Sequence, residues 1–100
     1  MVQLLHTLGY QHLHVRRTIG RGKKWVTSTN RIGWPDLLGW HPRHGFVAIE
    51  LKVGADKLSP EQTQVLAELA AAGARTMVAY PHDLDAVQAL LIPRTPAPHV

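Results

Sequence analysis

The chain has 100 residues, 45% of them hydrophobic, a formal net charge of +4 and no cysteine, values that fit one globular domain and argue against wholesale disorder. The lack of cysteine excludes a disulfide framework, iron–sulfur clusters and zinc sites built on thiolates. No apolar run approaches the roughly 20 residues that span a bilayer, and the first residues lack a secretory pattern, so we expect a cytoplasmic protein without membrane contacts.

The first third of the chain is predicted to form a short helix, a strand and a long loop. Apolar residues recur with helical spacing over residues 2–8, and Gly9 then ends the helix. Residues 10–19 place leucine, valine and isoleucine among polar residues, a composition typical of a strand. Residues 20–33 are rich in glycine, basic and small polar residues, so we expect mainly a loop. A loop of this length in a compact domain usually has a function or is disordered.

All charged residues in this third of the chain are basic. The first acidic residue is Asp36, and the six basic residues before it are Arg16, Arg17, Arg21, Lys23, Lys24 and Arg31. The remainder of the chain has seven acids and five bases. This asymmetry favours a polyanionic partner, most simply DNA, over a loop whose charge only aids solubility. Trp25 is a candidate for stacking on bases within the loop, whereas Trp40 is expected in the core.

The middle of the chain is predicted to form a β-hairpin and then a helix. Strands over residues 37–40 and 46–53 flank a turn at residues 41–45, which contains proline and glycine. The Ser-Pro-Glu-Gln sequence at residues 59–62 supplies an N-cap, a proline suited to the first helical position and a capping-box glutamine. The apolar spacing that follows predicts a helix ending at Gly73.

The last part of the chain is predicted to form a strand over residues 75–80, a helix that Asp83 caps and that continues through Leu91, and a proline-rich flexible tail over residues 93–100. The predicted order is therefore αβββαβα in a single domain of residues 1–92. Because the last strand follows a helix, it returns through a helical crossover and at least one strand pair should be parallel. We expect a mixed β-sheet flanked by helices in an α/β fold.

A group of charged residues is predicted to meet at one end of the hairpin. Alternation along the second hairpin strand places Glu50 and Lys52 on one face. A hairpin centred on Arg43 pairs Asp36 with Glu50, and paired residues share a face with Cβ atoms about 4.5–5.5 Å apart. A shift of the register by one residue would separate these side chains.

The chemistry of this group suits hydrolysis of phosphodiester bonds. Two carboxylates at this spacing repel each other unless a hard divalent cation lies between them. Such a cation polarises a phosphate and lowers the pKa of a bound water, while Lys52 can orient that water or offset charge in the transition state. The alternative is a solvated Glu–Lys pair and an Asp in a turn. That alternative leaves the neighbouring helix start and the basic loop unexplained.

The same residues resemble a known nuclease family. The segments GWPDLLG at residues 33–39, VAIELK at residues 47–52, LSPEQ at residues 58–62 and GAR at residues 73–75 are similar to the VRR-NUC family of the PD-(D/E)xK nuclease superfamily. The resemblance extends over residues 10–91. It implies a restriction-endonuclease-like core and a DNA endonuclease that uses Mg²⁺ or Mn²⁺ in phage or bacterial DNA processing, including repair.

The resemblance also implies a role for each residue of the group. Asp36, Glu50 and the backbone carbonyl of Leu51 would bind the metal, Lys52 would serve the attacking water, and Gln62 would lie near the site. Gln62 is equally explained as the reciprocal capping-box partner at the start of its helix. The two explanations are compatible with each other.

One departure from the family pattern leaves several functions open. Such nucleases often carry a further glutamate on the first helix, whereas residues 1–35 contain no acid, and Gln3 and His6 are poor replacements for a carboxylate. The number of metal ions therefore stays open, and a homodimer or a partner subunit could complete the site. Two alternatives remain beside the general endonuclease: a Holliday-junction or other structure-specific resolvase of the same superfamily, and a catalytically silent DNA-binding subunit.

Overall fold

The computed structural model describes residues 1–15, 17–19, 25–27 and 32–92, with backbone only for residues 17–19 and 25–27. The elements in these segments are α1 (Val2–Thr7), β1 (Gln11–His14), β2 (Arg17–Ile19), β3 (Trp25–Thr27), β4 (Leu37–His41), β5 (Gly45–Leu51), α2 (Pro60–Ala71), β6 (Arg75–Ala79), a 3-10 turn (Pro81–Asp83) and α3 (Leu84–Leu91). The predicted tail at residues 93–100 lies outside the described residues.

Four strands form a mixed sheet in the order β1-β4-β5-β6. The β1–β4 and β4–β5 pairs are antiparallel, and the β5–β6 pair is parallel because α2 carries the chain across the sheet between them. Strands β2 and β3 form a separate antiparallel pair. The mixed α/β fold with flanking helices is therefore confirmed.

The predicted strand at residues 10–19 and the predicted loop at residues 20–33 both need correction. The strand is divided into β1 and β2, which belong to different sheets. An unbroken strand would place Arg17 on the same face as the buried Val15, where its charge would be costly. The loop contains β3, whose Trp-Val-Thr sequence is an aromatic residue followed by β-branched ones and favours a strand.

The register of the β4–β5 hairpin is the predicted one, with Trp40 opposite Phe46 and Leu38 opposite Ala48. Strand β5 ends at Leu51 rather than at the predicted residue 53. The reason lies in its parallel neighbour, since the β5–β6 register also ends at that residue, opposite Ala79.

The two faces of the sheet are covered by different helices. On one face, Leu5 of α1 and Val87 of α3 pack with Val47 and Ile49 of β5. On the other face, Leu66 of α2 packs with buried residues of β4 and β5 and with the residue after β1, namely Leu38, Ala48 and Val15. Alternation along the hairpin assigns Glu50 to this second face, which we call the α2 face.

The start of α2 follows the predicted capping box. The Ser59 hydroxyl oxygen accepts a hydrogen bond from the Gln62 backbone N–H at 3.1 Å, and Ser59 N–H donates to Gln62 Oε1 at 2.9 Å. Pro60 takes the first helical position. The third helix begins at Leu84 with Asp83 at the predicted N-cap position, but the Asp83 side chain makes no capping hydrogen bond and instead accepts from the Tyr80 N–H at 2.9 Å. No helix among the described residues has the length and apolar character that crossing a membrane requires.

Candidate active site

The predicted charged group lies at the open end of the β4–β5 hairpin, where it meets the start of α2. Glu50, next to last in β5, is 1% exposed and faces α2 rather than solvent. A carboxylate is rarely buried to this degree unless it is paired or binds a metal. The local fold thus removes one acid from water at a place where other charged groups are close.

Asp36 is tied to the same strand by its side chain. The β4–β5 ladder ends at the pair Leu37 and Ile49. Beyond that pair, Asp36 Oδ2 accepts a hydrogen bond from the Leu51 N–H at 2.8 Å. The Asp36 carbonyl also accepts from the Val15 N–H at 2.9 Å, so the residue is held from both neighbouring strands. The carboxylate therefore lies beside the Glu50–Lys52 segment, as the register predicted.

Gln62 joins the helix start to the two charged residues of β5. Its Nε2 donates to Glu50 Oε1 at 3.2 Å, and its Oε1 accepts from Lys52 Nζ at 3.1 Å and from the Ser59 N–H. Because two donors meet its oxygen and an acceptor meets its nitrogen, these partners fix the orientation of the amide. The capping role and the contact with the charged group, left as alternatives by the sequence, are both present.

Lys52 lies at the edge of the group. Its side chain is 12% exposed, and its ammonium is 3.9 Å from Glu50 Oε1. Its backbone N–H donates to the Ala79 carbonyl at 2.9 Å, so the residue extends the β5–β6 pairing by one hydrogen bond. The ammonium has three donors, of which one is directed to Gln62. A positive charge and two carboxylates are thereby gathered at one end of the sheet.

A model of the VRR-NUC domain family matches residues 4–83, which is four fifths of the chain. The chain belongs to the VRR-NUC domain family. No curated protein and no solved structure matches it. The matched range begins before and ends before the predicted resemblance over residues 10–91, and it includes the whole charged group. Membership in this family indicates a nuclease-type function and suggests the use of a divalent metal and of DNA as the substrate.

The donor atoms of this VRR-NUC chain fit a hard cation that is held by few protein ligands. Among the described residues, no group of three or more histidine, cysteine, aspartate or glutamate side chains could hold a metal. The donors available are the oxygens of Asp36, Glu50 and the backbone, and Mg²⁺ is commonly held by one or two carboxylates with water and substrate phosphate. The first helix adds no acid, and its buried Leu5 packs on the opposite face of the sheet.

Most of the predicted DNA-contacting residues cannot be placed. Five of them lie outside the described residues, namely Arg16, Arg21, Lys23, Lys24 and Arg31. Arg17 and Trp25 are placed by their backbone alone, in the paired strands β2 and β3. Their role in binding DNA stays a prediction.

Trp40 does not lie in the core, where the sequence predicts it. It is 46% exposed on β4. The register places it opposite Gln11 of β1 and Phe46 of β5, at the end of the sheet farthest from the start of α2. No local signal in the sequence marks this exposure, because Phe46 in the same row packs against the cluster that contains Leu66 of α2 while Trp40 does not.

A second polar cluster occupies the turn end of the same hairpin. The rings of His41 and His44 stack with centroids 4.4 Å apart, and Tyr10 lies beside both. The Arg75 guanidinium donates to the Tyr10 hydroxyl and to the carbonyls of His44 and Leu90. Burial, then the neighbouring His41, Arg75 and the turn arginine, lower the pKa of His44. Tyr10, His41 and Arg75 in this cluster bind the protein's own backbone.

Proposed function

We propose that this protein is a Mg²⁺- or Mn²⁺-dependent DNA endonuclease that hydrolyses phosphodiester bonds. The observation that carries the proposal is the Gln62 amide, which joins the buried Glu50 to Lys52 beside Asp36. A buried acid linked to a lysine next to a second acid is costly to assemble for stability alone. The family match to a nuclease domain supports the same conclusion.

In this proposal, Asp36, Glu50 and the Leu51 carbonyl hold the cation. When bound, the cation polarises the phosphate and lowers the pKa of a water molecule. Gln62 keeps the Glu50 carboxylate in one orientation, because Ser59 and the helix start fix the amide in turn. The hydrogen bond between Asp36 and the Leu51 N–H holds the other carboxylate beside the strand.

Lys52 is the residue we assign to the attacking water and to the charge that develops on the phosphate. One of its N–H groups is used by Gln62, which positions the ammonium without using all its donors. Preorganised donors of this kind contribute to catalysis because they need no rearrangement during the reaction. Since no acid precedes Asp36, we assign the chemistry to one cation.

A catalytically silent DNA-binding subunit is the second candidate. It is favoured by the absence of acid from residues 1–35 and of a three-residue metal cluster from the part of the chain that is described. Such a subunit would bind DNA with a steep salt dependence, because basic residues release counterions from phosphate. It would not hydrolyse DNA in the presence of any divalent metal ion.

The test is cleavage of labelled single strands, duplexes, flaps and four-way junctions in Mg²⁺ and in Mn²⁺. Wild type is compared with Lys52→Ala and with Lys57→Ala, a matched control at an exposed lysine of the loop before α2. We expect metal-dependent cleavage that Lys52→Ala removes and Lys57→Ala retains. A preference for symmetric cleavage of junctions identifies a resolvase. Binding without cleavage on every substrate contradicts the endonuclease and favours the silent subunit.

A further inference from the structure

The α2 face of the sheet carries a patch that the described residues leave uncovered. Trp40 is 46% exposed and Leu13 is 53% exposed. The register places Gln11 directly opposite Trp40 and places Leu13 opposite Leu38, so the exposed side chains are neighbours across β1 and β4. We call Gln11, Leu13 and Trp40 the β1–β4 patch. It contains no charged residue.

The β1–β4 patch shares its face with the candidate active site. Residues 36, 38 and 40 alternate to one side of the sheet, and Asp36 and Trp40 stand at the two ends of this row. With a rise of about 3.4 Å per strand residue, Trp40 lies roughly 14 Å from Asp36. A stacked strand of nucleic acid advances about 3.4 Å per nucleotide, so this distance corresponds to about four nucleotides, and fewer where the strand is extended.

The charge around the patch favours a polyanion as its occupant. In the sequence, two arginines at residues 16 and 17 follow Val15 directly, and Arg31 comes just before Ile32. The Val15 N–H donates to the Asp36 carbonyl, so in the sequence these arginines adjoin the Asp36 end of the face. At the Trp40 end, Arg43 is exposed in the hairpin turn three residues further along the chain. Proteins that bind single-stranded nucleic acids combine basic side chains, which contact the phosphates, with exposed aromatic rings, on which the nucleobases stack.

We infer that Trp40 is a stacking platform for an unpaired nucleobase of the substrate strand whose phosphate reaches the site at Asp36 and Glu50. The inference rests on the proposed nuclease function. A duplex keeps the faces of its bases covered by their neighbours, so this platform selects single-stranded or locally unpaired nucleic acid. It would position the cut within about four nucleotides of the stacked base.

The experiment measures binding without cleavage, in EDTA, by fluorescence anisotropy. The probes are a labelled oligodeoxythymidylate and an abasic oligonucleotide of the same length, which has the phosphates and lacks the bases. The variants are Trp40→Ala, Trp40→Phe and Trp40→Leu, with Val2→Ala, an exposed apolar residue of α1 on the opposite face of the sheet, as the control. An oligouridylate arm distinguishes RNA from DNA as the source of the base.

We expect Trp40→Ala to weaken binding of the thymidylate probe about 5- to 150-fold, the range found when an aromatic side chain that stacks on a base is removed. Binding of the abasic probe should change little in the same variant. Trp40→Phe should retain most of the affinity, whereas Trp40→Leu should not, since leucine fills the space without offering a ring. The comparison of Trp40→Phe with Trp40→Leu shows whether the aromatic ring is needed, even where Trp40→Ala fails to fold.

Three results would overturn the inference. The first is equal loss on the thymidylate and abasic probes, which would assign Trp40 to phosphate contacts or to the fold. The second is unchanged binding of both probes. The third is unchanged binding together with a change of oligomeric state in sedimentation, which would make a second copy of the chain the occupant of the patch.

These outcomes are separate from the fate of the proposed function. Base-dependent binding that needs the Trp40 ring, in a protein that cuts no substrate, would keep the platform and remove the nuclease. Metal-dependent cleavage by wild type with no dependence on Trp40 in either assay would keep the nuclease and remove the platform.

Discussion

The two ends of the β4–β5 hairpin use polar side chains in different ways. At the turn end, Arg75 donates to Tyr10 and to two backbone carbonyls, and its neighbours are uncharged or basic. At the open end, Asp36 and Glu50 lie beside Lys52, and a glutamine from a different element holds them in place. The turn end satisfies the protein's own backbone, while the open end concentrates charge of both signs.

The difference separates groups that stabilise the fold from groups that we propose for catalysis. A charged side chain that donates to backbone carbonyls contributes to folding and leaves little for a ligand. Carboxylates gathered in a low-dielectric corner cost folding energy and are suited to a cation. Changes at the turn end should therefore reduce stability with activity per folded molecule retained, and changes at the open end should reduce activity more than stability.

The largest effect is expected for Asp36→Asn. Asparagine can still accept the hydrogen bond from Leu51, so the fold should remain, while the negative charge for the cation is lost. We expect cleavage to fall by at least about a thousandfold, since bound cations supply several kcal/mol of transition-state stabilisation. Asp56→Asn, at an exposed loop acid, is the control and should cut like wild type. Full activity of Asp36→Asn would remove the metal-site account.

Gln62→Ala should have the next largest effect, and it should lower both the cleavage activity and the stability. Loss of the amide frees Glu50 and Lys52, and removal of such supporting groups typically costs about 10- to 100-fold in metal affinity or activity. Loss of half of the capping box should also cost about 1 kcal/mol of stability. Gln64→Ala, an exposed glutamine on the same helix, is compared in cleavage and urea unfolding. Equal behaviour of the two variants would contradict the positioning role.

Arg75→Met should affect the turn end alone. It removes the contacts with Tyr10, His44 and Leu90 and leaves their acceptors without these donors. We expect a loss of about 2 kcal/mol, and hence a fall in Tm of roughly 10 °C for a domain of this size. Cleavage per folded molecule at low temperature should match wild type. A stable Arg75→Met variant that has lost activity would show that catalysis depends on the turn end, and would contradict its assignment to the open end.

The smallest expected effect is a pH dependence of stability that arises from His44 at the turn end. Because the pKa of His44 is lowered in the folded protein, the unfolded chain binds more protons below pH about 6.5. The stability that neutral His44 contributes is thus fully present above that pH and is lost as the pH falls toward the folded pKa. Urea unfolding between about pH 5 and 7.5 should show this slope in wild type and a flatter one in His44→Gln. Identical slopes would contradict it.

Much of the open end could be predicted from the sequence because its signals are local. The hairpin register follows from a five-residue turn and strict alternation, and it places Asp36 beside Glu50. The capping box at Ser59 and Gln62 is likewise a pattern within four residues. Such local patterns are retained in the folded protein because no contact between residues distant in sequence overrides them.

The rest depended on contacts distant in sequence. Arg75 and Tyr10 meet across 65 positions, and nothing local in either segment predicts the contact. The exposure of Trp40 depends on how far α2 reaches across the sheet, which strand propensity does not determine. The division of the first strand likewise depends on which sheet each half joins.

Calorimetric titration with Mn²⁺ tests whether the open end of the β4–β5 hairpin binds the catalytic cation. Wild type is compared with Glu50→Gln, in which glutamine keeps the size of the buried side chain and removes its charge. Circular dichroism and urea unfolding establish that the variant is folded. We expect saturable binding of Mn²⁺ to wild type that is lost or greatly weakened in Glu50→Gln. Equal binding by the two proteins, or no binding by wild type with DNA present, would contradict it.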